Sequence, residues 1–168
     1  HNLQILDFSF NEINGGSIEI ICAKKNSSHV PKKEKIKNQL LYEKSINSNS
    51  FKKFNNRIEN TKTMLNFFLT KIGRKDIIAY GASTKGNIVL NHREIKKKQI
   101  KYICDANPYK YNKYTPGSNL KIISKKNMRN KKPKYLLVLI WSLRKEVIKQ
   151  ELDYLKKGGK LIFHLPIF

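Results

Sequence analysis

The sequence predicts an α/β domain over residues 74–168, built on a doubly wound, mostly parallel sheet and preceded by a β-hairpin and a linker helix. Three observations carry this. Short apolar runs alternate with amphipathic stretches through short connections, the pattern of strands covered by crossover helices. Tyr135–Ile140 (YLLVLI) is continuously apolar, as in a central parallel strand buried on both faces. The segment Tyr80–Asn87 (YGASTKGN) places glycines where a strand turns directly into a helix.

Taken in order, Leu3–Phe10 and Ser17–Ala23 read as strands joined by 11–16, whose Asn14-Gly15-Gly16 permits positive φ. Such a hairpin is too small to fold alone. It either pairs with strands of an upstream domain or packs on the rest of this chain. Residues 24–50 are polar and read as a linker with a short helix near Glu34–Glu43. Phe51, Phe54, Ile58, Leu65, Phe68 and Ile72 then fall on one helical face, with Ser50 as N-cap and Gly73 as the stop.

Beyond Gly73 the alternation becomes regular. Asp76–Tyr80 is a buried strand, and the glycine loop opens a helix over roughly 85–95. Ile100–Cys104 and Leu120–Ile123 are the next strands, and Ser124 caps a brief helix ending before Pro133. After Tyr135–Ile140, a stripe of Leu143, Val147, Ile148, Leu152 and Leu155 predicts a helix stopped by Gly158 and Gly159. Lys160–Leu165 closes the sheet, and the whole is Rossmann-like.

Composition narrows the functional classes. The formal net charge is +23, but 30 of the 35 basic residues are Lys and 5 are Arg, so planar bidentate readers of phosphate and bases are scarce. Lys, Asn and Ile are abundant together, as AT-rich codons favour. The excess therefore reads as a solvated basic surface, with no specific nucleic-acid partner expected. No apolar stretch approaches the roughly 18–20 residues that cross a bilayer, and no signal-peptide pattern is visible, so a soluble cytoplasmic protein is expected. The chain starts at His1 and not at Met, which predicts a fragment or trimmed chain. Cys22 and Cys104 lie in separate apolar runs without metal-site spacing, and both read as buried free thiols. His1, His29, His92 and His164 are scattered, the acids show no paired arrangement, and no catalytic constellation is visible.

In doubly wound sheets, ligands collect at the carboxyl ends of the strands. The first candidate there is Gly81-Ala82-Ser83-Thr84-Lys85-Gly86-Asn87, a G-x-G-x-x-G outline with Ser83 at the second glycine. That glycine lets a backbone approach a pyrophosphate closely, so Ser83 argues against intimate dinucleotide binding while supplying a hydroxyl. The helix N-terminus and Lys85 favour an anion; the bland reading is a strand–helix turn whose glycines serve packing. Asp105 stands about 20 residues on, where an acid commonly bonds a ribose hydroxyl. Before Asn107-Pro108 it equally suits a turn. Tyr111 and Tyr114 precede a Pro-Gly turn and can cover a planar base. Trp141 either stacks on a base or sugar face or seals the sheet edge.

Together these segments resemble the C-terminal domain of sugar C-methyltransferases, which act on nucleotide-activated deoxysugars. The matching pieces are YGASTKGN at 80–87, DANPYKYNKYTPG at 105–117, LVLIWS at 137–142 and YLKKGGKLIFHLP at 154–166, in the family's order. The hairpin turn Asn14-Gly15-Gly16-Ser17 is similar to the family's HGGS, with Asn14 in place of histidine, which puts that histidine's role in doubt. The resemblance implies that residues 1–28 close a methyltransferase core, 29–73 link, and 74–168 form the C-terminal domain. It implies S-adenosylmethionine bound by the upstream domain, zinc in a cysteine-rich N-terminal region, and a base outside this chain, which alone would not catalyse methyl transfer. It implies that this chain, with the upstream domain as partner, holds a nucleotide-diphosphate sugar. Gly81, Ala82, Ser83, Thr84, Lys85, Gly86 and Asn87 would take the diphosphate, and Asp105, Asn107, Tyr114 and Trp141 the sugar or base. A stand-alone nucleotide-binding or interaction domain is the alternative.

Overall fold

The computed structural model describes residues 1–165; Pro166, the last residue of the segment matched at 154–166, lies outside them. Two compact units divide the chain between Ile58 and Glu59.

In the first unit, β1 (Leu3–Asn11) and β2 (Ser17–Lys24) pair antiparallel, with a bulge between Ile5 and Asp7. The turn between them takes Asn14 to φ 56°, a left-handed conformation that asparagine tolerates. Helix α1 (Lys33–Ser45) is longer than the Glu34–Glu43 expectation. Asp7 holds it through Lys32 and Lys35 at 2.6 and 2.7 Å. These two ammonium groups keep the Asp7 carboxyl well below the usual carboxylate range. Cys22 is exposed, which corrects its reading as a buried thiol. Leu3, Ile5, Phe10, Ile18, Ile20 and Ile21 of the same hairpin are exposed as well.

Helix α2 runs Ser48–Lys71 and is capped by Asn47, not Ser50. The Asn47 side-chain oxygen accepts from the Asn49 and Ser50 amides at 2.9 and 3.2 Å. Ser50 answers from inside the first turn, its hydroxyl accepting the Asn47 N–H at 3.4 Å. The predicted stripe is buried only in its second half. Leu65 and Leu69 are buried and Phe68 and Ile72 pack beside them, whereas Phe51 and Phe54 stay exposed.

The second unit carries β3 (Ile77–Tyr80), β4 (Tyr102–Cys104), β5 (Lys121–Ile123), β6 (Tyr135–Val138) and β7 (Lys160–Phe163). All neighbours are parallel, in the order β5-β4-β3-β6-β7. The chain runs outward from β3 through β4 to β5, then crosses back to β6 and β7 on the other side of β3, so the topological switch point lies between β3 and β6. Alternation along the strands splits the core in two. Ile77, Ala79 and Leu137 face α2 and α3 (Thr84–His92) with Leu65, Leu69 and Leu90. Ile78, Tyr80, Leu136 and Val138 face α4 (Lys125–Asn130), α5 (Arg144–Gln150) and α6 (Leu152–Lys156) with Met128, Val147 and Tyr154. Each fully buried aliphatic side chain contributes about 1.5–3 kcal/mol through removal from water. Ser124 caps α4 as expected, its hydroxyl accepting the Asn127 N–H at 3.2 Å.

The helix expected after β6 differs from its apolar stripe. Leu143 and Leu152 are exposed, and the buried face is Val147, Glu151 and Tyr154. Glu151, at the break between α5 and α6, has no solvent exposure. One carboxylate oxygen accepts the Tyr80 hydroxyl at 3.0 Å and faces the Lys125 ammonium at 3.2 Å; the other pairs with Arg129. Burial, reinforced by that carboxylate, holds the Tyr80 hydroxyl well above its usual pKa. A buried charge is tolerated only when paired and hydrogen-bonded, and three donors reach this one. Replacing Glu151→Ala should therefore destabilise the unit by about 3 kcal/mol, because it strands a buried tyrosine hydroxyl and two cations. Urea denaturation of wild type and variant measures this; a loss within error of zero would show that the network contributes nothing net.

Candidate functional site at the switch point

The carboxyl ends of β3 and β6 meet at Gly81 and Ile140. Gly81 adopts φ 94°, and a Cβ there would lie 2.6 Å from the Ile140 side chain. Its N–H donates to the Cys104 carbonyl at 2.7 Å, tying the turn to β4. Gly86 has no more room: a Cβ would meet the Gly81 carbonyl at 2.8 Å and Leu139 at 3.1 Å. The first and last glycines of the outline thus play their expected parts, tight turn and close helix–strand packing. Ser83 is the N-cap of α3, its hydroxyl oxygen accepting the Gly86 N–H at 3.0 Å. Thr84 and Lys85 are exposed on the first turn, Asn87 is half-buried with a side-chain oxygen that finds no partner among the described residues, and Ala82 is buried. Backbone N–H groups and a positive helix end therefore stand over the switch point, a geometry suited to an anion.

Asp105 reaches this loop, but as part of it. Its Oδ2 accepts the Ala82 N–H at 2.8 Å, and its Oδ1 accepts the Asn107 N–H at 2.8 Å. Asn107 is engaged likewise, its side-chain oxygen accepting the Tyr109 N–H at 3.0 Å. Of the two readings for Asp105, the structure displays the turn-forming one. Trp141 is half-buried three residues beyond β6, at the head of a short 3-10 turn, and follows Ile140, which packs against Gly81. Tyr114 is not brought to the same place. It is exposed and bridges antiparallel to Lys121 on the outer strand β5, with β4 and β5 between it and β3.

Among the described residues, no group of three His, Cys, Asp or Glu side chains is placed to hold a metal. Each Asp105 oxygen accepts a backbone N–H of the chain. No helix among the described residues is long and apolar enough to cross a membrane.

A cleft of about 800 Å³ opens at the opposite, amino edge of the sheet, around Arg74, Lys101, Tyr102 and Lys131. We give it less weight than the switch point. Lys101 and Lys131 lie over the Tyr102 ring at 5.3 and 4.4 Å, leaving little of it for a ligand. Helix C-termini also converge on that edge and attract cations in any case.

The spacing of the sequence gave no hint of His164. It follows β7 at the carboxyl edge, 4% exposed, with Nδ1 3.3 Å from the Val138 carbonyl. A carbonyl only accepts, so Nδ1 carries the proton, and Nε2 is buried with no hydrogen-bond partner among the described residues. Burial, with the positive charge of Arg93 adding to it, lowers its pKa to about 4. Cys104, at the end of β4, is buried as expected, and burial pushes its thiol up to about 12. For His164 the unfolded chain takes up a proton before the folded one does. Its contribution is complete above about pH 6.5 and is lost as pH falls toward 4, a loss of about 3 kcal/mol. Urea denaturation between pH 7 and pH 4 should show this fall, and His164→Asn should flatten it; an equal slope in the variant would assign the acid sensitivity elsewhere.

Residues 12–166 match the family model described as the C-methyltransferase C-terminal domain. The chain is also 26% identical, over 171 aligned residues, to the C-methyltransferase NovU of Streptomyces niveus. That alignment takes in 99% of this chain and 40% of the relative, so the chain spans well under half of the protein it matches. With its parallel sheet, glycine turn and following loops in the expected order, the chain belongs to the C-methyltransferase C-terminal domain family.

Proposed function

We propose that this chain is the C-terminal part of an S-adenosylmethionine-dependent C-methyltransferase acting on a nucleotide-activated keto-deoxysugar, and that it holds the nucleotide-sugar. The observation that carries this reading is the N-terminus of α3 at the switch point, where Thr84 and Lys85 are exposed on the first turn. A diphosphate is the part of such a substrate that this geometry recognises: it is anionic, compact and independent of the base. Ser83 supports the same assignment, because a hydroxyl oxygen that caps the helix can still donate its own proton. Trp141, beside the turn, offers an aromatic face to the sugar or base.

The methyl group comes from the S-adenosylmethionine held by the rest of the enzyme, and the proton abstraction belongs there too. The residues of this chain bind and orient the acceptor and help keep water away from it. The exposed isoleucines and phenylalanine of the hairpin support a continuous surface with the upstream domain, since a soluble chain rarely leaves such a run uncovered. Asn14 stands at the hairpin turn where the HGGS pattern it resembles has histidine, and no proton transfer at that position is part of this proposal.

In the full-length enzyme, Lys85→Ala should weaken nucleotide-sugar binding about tenfold, the value of one charge-assisted contact to phosphate, without altering the circular dichroism spectrum. Calorimetric titration measures it. An unchanged affinity would remove Lys85 from the site, and a wild-type enzyme indifferent to every nucleotide-sugar would sink the reading.

A further inference from the structure

Lys110 was not among the residues singled out from the sequence, yet it reaches the centre of the candidate site. It sits on the 3-10 turn Pro108–Lys110, five residues after Asp105. Its ammonium donates to the Ala82 carbonyl at 2.9 Å and lies 3.4 Å from Asp105 Oδ2. The same oxygen accepts the Ala82 N–H at 2.8 Å. Both polar groups of Ala82 are thus held by the loop that follows β4, and Ala82 itself is 5% exposed.

Ala82 immediately precedes Ser83, the cap of α3, so its peptide orientation sets where the first N–H groups of the helix point. Electrostatics adds a second constraint. The Asp105 side chain retains only 12% of its exposure. Its negative charge stands beside the helix end at which an anion is expected. Left unpaired in a partly desolvated site, it would repel that anion.

We propose that Lys110 is a positioning residue for phosphate recognition: it clamps Ala82 and cancels the Asp105 charge, so that the Gly81–Asn87 loop can accept a diphosphate. This rests on the reading of that loop as the diphosphate-holding element. Lys110 acts through Asp105 and Ala82, which separates it from a residue that touches the ligand.

The test uses the full-length protein with inorganic pyrophosphate as the probe, followed by calorimetry, and amide exchange at Ala82, followed by NMR. Lys110→Met should weaken pyrophosphate binding by about tenfold or more and speed exchange of the Ala82 amide. Adding Asp105→Asn, which removes the uncompensated charge and keeps one acceptor oxygen for Ala82 while giving up the one for Asn107, should return binding to within about threefold of wild type. A double variant as weak as Lys110→Met would overturn the proposal, because cancelling the Asp105 charge would then not be what Lys110 does for the loop. Unchanged binding in Lys110→Met would overturn it as well. If wild type fails to bind pyrophosphate, the diphosphate reading falls. The clamp is then decided by Ala82 exchange alone, and unaltered exchange in Lys110→Met would overturn it.

Discussion

Between the end of β3 and the first turn of α3 there is no space for two side chains, and the rest of the second unit is arranged around that fact. Gly81 turns with positive φ against Ile140, and Gly86 brings the helix onto Leu139 and the Gly81 carbonyl. Because the helix starts so close to the strand, its N–H groups end up over the gap between β3 and β6. Any Cβ at either glycine would push the helix off the sheet and carry its positive end away from the crevice. The packing requirement and the anion-binding geometry are therefore one constraint.

The opposite face of the sheet solves a different problem. Four short helical pieces and turns follow β5 and β6, too short to be stable by propensity alone. Glu151 ties them together, since Lys125 and Arg129 come from α4 while the carboxylate comes from the α5–α6 break, and Tyr80 fixes both to the central strand. Apolar contact would tolerate sliding of α4 along α5; a carboxylate with three donors accepts few arrangements. The Arg93 guanidinium, buried on the α3 side with a hydrogen bond to Thr61, fixes α3 to α2 in a comparable way.

How much of this the sequence revealed depends on what each residue answers to. Strand positions, the Ser124 cap and the two glycines answer to local geometry, and each lies where periodicity and turn chemistry put it. Asn47 took the cap expected of Ser50 because two capping residues three apart compete, and the chain can use both. Phe51 and Phe54 share a helical face with Leu65, but helical spacing shows that residues share a face and says nothing of how far a partner extends along it. Glu151 was hidden because an apolar stripe search passes over a carboxylate, whose burial depends on donors from α4 and β3, distant in sequence. Asp105 was found in position, while the occupants of its oxygens, Ala82 and Asn107, could not be read from a distance of 20-odd residues. Lys110 escaped for the same reason.

The bulge in β1 has a bearing beyond the hairpin's own shape. Leu6 drops out of the register with β2, and its carbonyl instead accepts the Lys32 N–H at 2.8 Å, beside the Asp7 pairs with Lys32 and Lys35. A free strand edge is a template on which another chain can add itself, residue by residue, toward aggregation. Here the template is interrupted midway by a covalently attached competitor and a twist. A second polypeptide attempting to zip along β1 would meet an occupied carbonyl and a knot of charge after a few residues. The same small irregularity that anchors the linker thus works as a stop against unwanted strand addition.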